Sequence, residues 1–173
     1  TLFRSMSSVE MQWNQSIPQQ EKGRKFEEKY AQLQYMFIGG EVEKLSEMKS
    51  DRANESARLK WIAYKDQFFS TVMIAEDAFE STTMESTPLN QHSRYIKEYK
   101  TTTSLPWDIT GKQATNLRYY FGPNHYNTLK AYDKDVDKAD RLHLNELVPL
   151  GWKIVAWINK ILVIPMFDLF TSW

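Results

Sequence analysis

The sequence predicts a mainly β domain with α-helices towards its C-terminal end. Along several stretches apolar and polar residues alternate, which is the period of a half-buried strand. Residues 67–75 are nearly continuously apolar and β-branched. This pattern indicates a strand covered on both faces, in the centre of a sheet or sandwich. After Gly122 the alternation stops, and Pro123 has the fixed backbone angle that suits a first helical position.

The predicted strands are separated by polar, charged or glycine-containing connections. In chain order they are 9–13, 29–38, 59–64, 67–75, 95–105 and 117–121. Residues 41–58 are almost wholly charged or small and are predicted to be a solvated connection, with a short helix as the alternative. Residues 76–93 are polar, contain Pro88 and are predicted to be a loop. Gly122 and Pro123 are predicted to form a structural turn after the last strand.

These patterns divide the chain into three predicted parts. Residues 1–122 form the β portion, and residues 123–150 form a short helix and a charged connection that pack on it. Residues 151–173 form an amphipathic, membrane-proximal helix. The chain begins with Thr and has no apolar signal segment, which predicts a processed or excised piece whose targeting information lies elsewhere.

The C-terminal part has a strongly one-sided pattern. On a helical wheel of about 100° per residue, six apolar side chains fall on one broad face, and Lys153 and Lys160 fall together on the other side. With Trp152 added, the predicted stripe is Trp152, Ile154, Val155, Trp157, Ile158, Ile161 and Leu162. We expect this stripe to be buried against the domain or to face a membrane, with the two lysines as interfacial cations.

A bilayer span is a poor description of this segment. A span needs roughly 20 predominantly apolar residues, whereas Pro149, Lys153, Lys160, Pro165 and Asp168 interrupt the run. A helix in the membrane interface fits better, with lysines towards phosphate and tryptophans in the aromatic belt. Packing of the apolar face on the domain's own sheet remains the alternative.

Composition excludes several classes of protein. Lys+Arg and Asp+Glu both number 22, so there is no long-range field to attract nucleic acid. The chain has no cysteine, which removes disulfides, thiolate metal sites and cysteine nucleophiles.

Motifs for catalysis or metal binding are also missing from the sequence. His92, His125 and His143 are scattered without ligand-like spacing. The run Asp133, Asp135, Asp137 resembles the start of a calcium loop, but the positions that need Gly and Glu hold other residues. We therefore predict no cofactor, no metal and no enzyme activity. The alternative is a carbohydrate-binding or carbohydrate-processing β-sandwich, in which exposed Tyr and Trp would stack on sugar rings.

Three stretches, in order, resemble the periplasmic domain of YidC-type membrane protein insertases. They are LKWIAYKDQFFSTVMI at 59–74, YFGPNHYNTLKAY at 120–132 and LVPLGWKIVAWIN at 147–159. The resemblance covers roughly residues 59–173, and residues 1–58 are compatible with preceding strands.

This resemblance implies a twisted antiparallel β-sandwich, part of a mutarotase-like super-sandwich, closed by C-terminal helices. It implies an accessory domain on the periplasmic side of the cell inner membrane, in a protein that inserts and folds inner-membrane proteins. The implied partners are the transmembrane core of the same insertase chain, the inner membrane surface, Sec translocon subunits and nascent membrane proteins. The insertase machinery itself belongs to membrane helices outside this chain.

Overall fold

A computed structural model describes residues 8–149 together with residues 161, 164 and 165. Within these residues the secondary structure is mainly β. The strands are Ser8–Pro18 (β1), Gln32–Phe37 (β2), Val42–Lys44 (β3), Asp51–Glu55 (β4), Leu59–Lys65 (β5), Phe69–Pro88 (β6), Tyr95–Pro106 (β7) and Leu117–Pro123 (β8). The α-helices are Arg24–Tyr30 (α1) and Tyr126–Lys130 (α2), and 3₁₀ turns lie at Ala131–Asp133, Lys138–Asp140 and Leu144–Leu147.

The strands form two antiparallel sheets that share the long strand β6. The first half of β6 pairs with β5 and β8, in a five-stranded sheet of order β3-β2-β5-β6-β8. Its second half pairs with β7 and β4, in a four-stranded sheet of order β1-β7-β6-β4. The register shifts between Glu80 and Thr83, where Ser81 has a φ of 46°. A bulge of this kind bends a strand, so β6 can pass from one sheet to the other.

The main core lies between the two sheets. It includes Ile62, Tyr64, Met73, Phe79 and Tyr99, none more than 1% exposed. Trp13 of β1 stacks on Tyr64 of β5 with ring centroids 3.8 Å apart, which ties the two sheets together.

The outer face of the four-stranded sheet is polar. It carries alternate residues of the four strands, since successive side chains of a strand point to opposite faces. Its members include Glu10, Gln12, Asn14, Arg52, Asn54, Thr83, Glu85, Glu98, Lys100, Thr102 and Ser104. Ion pairs join Arg52 to Glu85 at 3.3 Å and Lys100 to Glu98 at 3.2 Å. This face is therefore suited to water.

The outer face of the five-stranded sheet is apolar and covered. Its side chains include Met36, Trp61, Ala63, Val72 and Ile74. They form a second core with residues of α2 and the turns after it, namely Leu129, Leu142, Leu144 and Leu147. The chain after β8 thus closes this face.

The predicted fold class is confirmed. The structure is mostly antiparallel β sheet, sandwich-like and not closed, with helical turns towards the C-terminal end. No helix in the described part of the chain is both long and apolar enough to cross a bilayer.

The loop predicted at 76–93 is wrong over most of its length, because β6 continues to Pro88. The buried positions of this half of the strand hold Thr82, Met84 and Ser86. Hydroxyl side chains on the inner face hide the alternation, and one of them is paired across the sheet: the Thr82 and Thr103 hydroxyls lie 2.7 Å apart. Two of these three buried side chains are therefore polar, and the composition of the segment resembles that of a loop.

The solvated connection predicted at 41–58 is also wrong in part, since it contains β3 and β4. β4 pairs only with β6 among the described strands, and Ala53 is its one apolar residue. Its other side chains lie on the polar outer face or at the rim, so its composition resembles that of a loop.

Two helix boundaries differ from the prediction. The strand predicted at 29–38 is preceded by α1, which takes its first two positions and part of the polar run before it. Pro123 is the last residue of β8, opposite Phe69, and α2 begins later, at Tyr126. The chain therefore turns after Gly122 and Pro123 and not at them.

Candidate functional site at the start of the C-terminal segment

The C-terminal turns are fixed to the five-stranded sheet by one buried tryptophan. Trp61 of β5 is 0% exposed, and its indole Nε1 donates a hydrogen bond of 2.6 Å to the Leu142 carbonyl oxygen. The acceptor lies 81 positions along the chain, so this bond links the middle of the sheet to the segment before Pro149.

Asp133, the first residue of the charged connection at 133–141, has a structural role. The carboxylate of Asp133 accepts hydrogen bonds from the backbone N–H groups of Leu142 at 2.6 Å and His143 at 3.0 Å. It thereby holds the entrance to the last 3₁₀ turn, where His143 adopts a φ of 50°. Within the residues that the structure describes, no three His, Asp or Glu side chains are arranged to hold a metal ion.

Gly122 is required by the ring of Tyr120. The Tyr120 hydroxyl donates a 2.7 Å hydrogen bond to the Pro123 carbonyl oxygen, which draws the ring across the backbone of Gly122. A Cβ atom at Gly122 would lie 2.6 Å from that hydroxyl oxygen. The glycine therefore allows close approach of a side chain at the end of β8.

We expect Gly122→Ala to displace the Tyr120 ring and break its hydrogen bond. The cost in the free energy of unfolding should be about 1–3 kcal/mol, the usual range for overpacking. Chemical denaturation checks this value, and Gly111→Ala on an exposed loop is a control whose added Cβ meets no atom within 4 Å, although its φ of 70° adds strain. The double variant Tyr120→Phe/Gly122→Ala locates the clash. If it is as unstable as Gly122→Ala alone, the added Cβ clashes with the ring of residue 120. If the double variant regains the stability of the unmodified chain, the clash is with the Tyr120 hydroxyl.

Two buried lysines near α1 are sites that the sequence did not reveal. Lys97 of β7 is 0% exposed, and its Nζ donates to the carbonyl oxygens of Glu28 at 2.8 Å, Ala31 at 2.5 Å and Glu47 at 2.6 Å. Lys65 of β5 is 1% exposed and makes one long bond of 3.4 Å, to the Tyr30 carbonyl oxygen. The three acceptors of Lys97 bring the end of α1 and the loop after β3 to one point.

Burial lowers the pKa of each of these lysines from 10.5 to about 8. Because the folded pKa lies below the unfolded one, the unfolded chain binds more protons between these two values, and stability should rise with pH. We expect the rise from about pH 8 to about pH 9.5, below the range in which tyrosines ionise. The two lysines have the same shift, so each should contribute about half of the rise. Urea denaturation across this range tests the sign, and Lys65→Met should remove about half of the rise; an unchanged slope in that variant would contradict the assignment.

The described chain reaches Pro149 at one edge of the five-stranded sheet. Pro149 and Glu146 line a cleft of about 470 Å³ with residues of α1, β2 and β3, among them Lys29, Gln34 and Lys44. β3 is the outermost strand on this side of the sheet, and β8 is the outermost strand on the other. The segment that follows Pro149 therefore starts at the β3 edge.

Most of the predicted site residues lie outside the described residues. These are Trp152, Lys153, Ile154, Val155, Trp157, Ile158, Lys160 and Leu162. Ile161 is described and is 58% exposed. The predicted turn residues Gly122 and Pro123 are placed in β8, as given above.

Exposed aromatic rings on strands occur at the β8 edge. Tyr119 and Phe121 are 49% and 72% exposed, and their rings stack with centroids 5.8 Å apart. Phe69 on the adjacent strand is 54% exposed. By contrast, Trp61, Tyr64 and Tyr99 are core residues. Neither Tyr119 nor Phe121 lines the cleft beside Pro149.

Comparison with known proteins gives a consistent result over nearly the whole chain. The family model described as YidC periplasmic domain matches residues 4–165. Three relatives carry the name membrane protein insertase YidC. The protein of Parabacteroides distasonis is 51% identical over 167 residues, 96% of this chain and 26% of the relative. That of Azobacteroides pseudotrichonymphae is 49% identical over 171 residues, 99% of this chain and 28% of the relative. That of Bacteroides fragilis is 46% identical over 172 residues, with 99% and 28% covered. The chain thus spans about a quarter of the length of these relatives.

Proposed function

The chain belongs to the YidC periplasmic domain family, and on that premise we propose that it anchors a membrane-proximal segment, residues 151–173, at the periplasmic face of the inner membrane. In this proposal the domain is a non-catalytic accessory part of an insertase that inserts and folds inner-membrane proteins. Residues 1–122 form its sandwich portion, and residues 123–150 form the short helix and connection that hold the segment to it.

The observation that carries the proposal is that neither outer sheet face of the sandwich has free apolar surface for the stripe. The apolar part of the outer face of the five-stranded sheet is already covered by Leu129, Leu144 and Leu147, each 0% exposed, and the open part beside Pro149 carries Gln34 and Lys44. The outer face of the four-stranded sheet is polar and carries ion pairs. An apolar helical stripe gains little by packing on a polar face. These faces therefore favour a lipid environment for the stripe over packing on the domain's own sheet.

The exposed aromatic rings of β8 lie at the opposite edge of the five-stranded sheet from Pro149. The exposed rings of Tyr119 and Phe121 belong to β8, whereas Pro149 lies beside β3. Three strands separate these two edge strands, a distance of about 19 Å at the usual strand spacing. The large exposed fraction of Ile161, a member of the stripe, also supports contact with lipid.

Vesicle flotation with a pair of glutamate substitutions tests the proposal. Ile158 lies within the apolar face of the helical wheel and Ala156 lies opposite it. We expect Ile158→Glu to lose most vesicle binding, because a carboxylate would have to enter the apolar interface. Ala156→Glu adds the same charge on the polar side and should retain most binding. Equal binding by the two variants would contradict a membrane-facing stripe.

The other partners in this proposal follow from family membership alone. They are the transmembrane core of the same chain, Sec translocon subunits and nascent membrane proteins. Family membership also supports the insertase interpretation over a carbohydrate-binding sandwich.

A further inference from the structure

In helix α1 a carboxylate is buried and a phenylalanine is exposed, which is the reverse of the usual arrangement. Glu27 is 3% exposed, whereas Phe26, the next residue back, is 53% exposed. The buried carboxylate is satisfied, since it accepts hydrogen bonds from the backbone N–H groups of Gln20 at 2.9 Å and Glu21 at 2.6 Å. Because carboxylates are rarely buried and phenylalanines rarely left in water, this orientation requires an explanation.

The inward face of α1 is fixed by charged hydrogen bonds. The Arg24 guanidinium donates to the carbonyl oxygens of Leu89 at 2.9 Å and Tyr95 at 3.0 Å, and to the Glu28 carboxylate at 2.7 Å. Lys97 binds the carbonyl oxygens at the other end of the helix. The polar residues of α1 thus hold its orientation, and they hold Phe26 on the outside.

The outward face combines one aromatic ring with cations. Phe26 packs on Tyr30, with ring centroids 4.8 Å apart. Lys22, Lys25 and Lys29 are exposed around it. None of the three forms an ion pair within the part of the chain that the structure describes.

The loop after β3 extends this face. Lys97 also binds the carbonyl oxygen of Glu47, which places the loop next to the end of α1. Leu45 is buried, while Met48 is 67% exposed and Lys49 is exposed beside it. We call the set Phe26, Met48, Lys22, Lys25, Lys29 and Lys49 the basic apolar surface. Its exposed acidic neighbours are Glu21, Glu43 and Glu146, and the half-buried Glu47 lines the same cleft as Lys29.

This surface lies on the side of the domain where the C-terminal segment starts. Lys29 and Pro149 line the same cleft, and Pro149 is three residues before Trp152. A membrane surface has a layer of phosphate groups above hydrocarbon. The lysines of the basic apolar surface match the phosphate layer, and its two exposed apolar side chains match the hydrocarbon below. Lysine binds phosphate as a flexible point charge, and single apolar side chains can enter the acyl boundary.

We propose that the basic apolar surface is a second lipid-contact site that binds anionic phospholipid headgroups. The inference rests on one part of the proposed function, the position of the domain next to the membrane, and not on the apolar stripe. The segment supplies apolar anchoring, and the surface supplies charge and fixes the orientation of the sandwich on the bilayer.

Partition of the full chain into two kinds of vesicle tests the charge. One kind is phosphatidylcholine alone, and the other is phosphatidylcholine and phosphatidylglycerol in equal amounts. Each lysine near an anionic surface contributes about fivefold in partition. Replacing all four lysines by glutamine (K22Q, K25Q, K29Q, K49Q) should therefore lower binding to the anionic vesicles by at least about tenfold and leave binding to the neutral ones unchanged.

The matched control removes four exposed lysines elsewhere, with K100Q, K112Q, K134Q and K138Q. It has the same net charge and should bind anionic vesicles as the unmodified chain does. An equal loss in both variants would mean that binding follows net charge, and no loss in the first variant would mean that the lysines do not touch the membrane. Either result overturns the proposal.

The Ile158→Glu variant separates this proposal from the proposed function. If the segment is the apolar anchor, this variant loses binding to both kinds of vesicle, whereas the four-lysine variant loses only the anionic preference. If Ile158→Glu binds normally and the four-lysine variant does not, the proposed function fails and the lipid site stands.

A fluorescent label tests the entry of the apolar side chains. The chain has no cysteine, so Met48→Cys gives one site for an environment-sensitive dye. Its emission should shift to the blue with anionic vesicles, and a dye at Gln12→Cys, on the polar outer face, should show no shift. A dye at residue 48 that stays in water while the chain is bound would overturn the insertion of Met48.

Discussion

Replacing Trp61 by alanine is expected to lower the free energy of unfolding by about 3–5 kcal/mol, the range for truncating a fully buried aromatic side chain. Trp61 is 0% exposed and fills the centre of the second core. The substitution also leaves the Leu142 carbonyl oxygen without its indole donor. Both losses act on the contact between the five-stranded sheet and the turns before Pro149, so those turns should separate from the sheet.

Denaturant unfolding measures the total effect, and amide hydrogen exchange locates it. The amide of Leu129, which bonds to the His125 carbonyl oxygen, should exchange faster in the variant, whereas amides of β1 and β7 should change much less. Trp61→Phe is the comparison variant, because it keeps a six-membered aromatic ring and removes the N–H together with the pyrrole part of the indole. It should cost about 1–3 kcal/mol, the usual penalty for an unsatisfied buried partner. A loss below about 1 kcal/mol for Trp61→Ala would contradict the role of this residue in holding the turns.

Lys97→Met should be the second large effect, with a loss of about 2–4 kcal/mol. Methionine keeps most of the volume and removes a donor that satisfies the carbonyl oxygens of Glu28, Ala31 and Glu47. An unsatisfied buried carbonyl is costly, and three lose their partner at once. The cost is reduced because the buried ammonium no longer has to be desolvated.

Lys65→Met is the control for Lys97→Met, since both residues are almost completely buried. Lys65 makes a single bond of 3.4 Å and its buried charge is penalised at neutral pH, so its replacement should leave the fold at least as stable as the unmodified chain. Denaturation of both variants at neutral pH tests the difference. Equal losses would mean that burial of a lysine, and not its three carbonyl bonds, determines the effect.

Sequence patterns predicted the strands whose faces differ clearly in polarity. In β7 the alternate residues Lys97, Tyr99, Thr101 and Thr103 are all buried, whereas Tyr95, at the start of the same row, is 40% exposed. Most of the near-continuous apolar run at 67–75 lies in an inner strand, between β5 and β8, and its residues 72–75 are buried. In these strands the pattern of residues along the sequence agrees with the pattern of burial in the structure.

The rest of the fold depends on contacts that composition does not reveal. The second half of β6 buries Thr82 and Ser86, whose hydroxyls make the segment appear polar. Helix α1 has seven residues and no side-chain cap at its N-terminal end, and it depends on Lys97 from a distant strand. An isolated helix of this length is not stable on its own. Its existence could be predicted only with knowledge of that tertiary contact.

The candidate site was predicted in outline from the sequence. The amphipathic stripe follows from a helical wheel, and the family follows from three stretches in the right order and spacing. The residues that hold the chain before the stripe, Trp61 and Asp133, were not predicted. Both bind backbone atoms of Leu142 or His143, and no residue spacing encodes such a contact.

The central claim is that the apolar stripe meets lipid because neither outer sheet face of the sandwich offers it free apolar surface. A nitroxide at Ile158→Cys, the only cysteine of the chain, tests this in the vesicle-bound protein. We predict that the label is accessible to oxygen, which concentrates in the bilayer, and protected from a water-soluble nickel chelate, while a label at Ala156→Cys shows the reverse. A label at residue 158 that neither reagent reaches would mean that the stripe packs on protein, and this result would contradict the account.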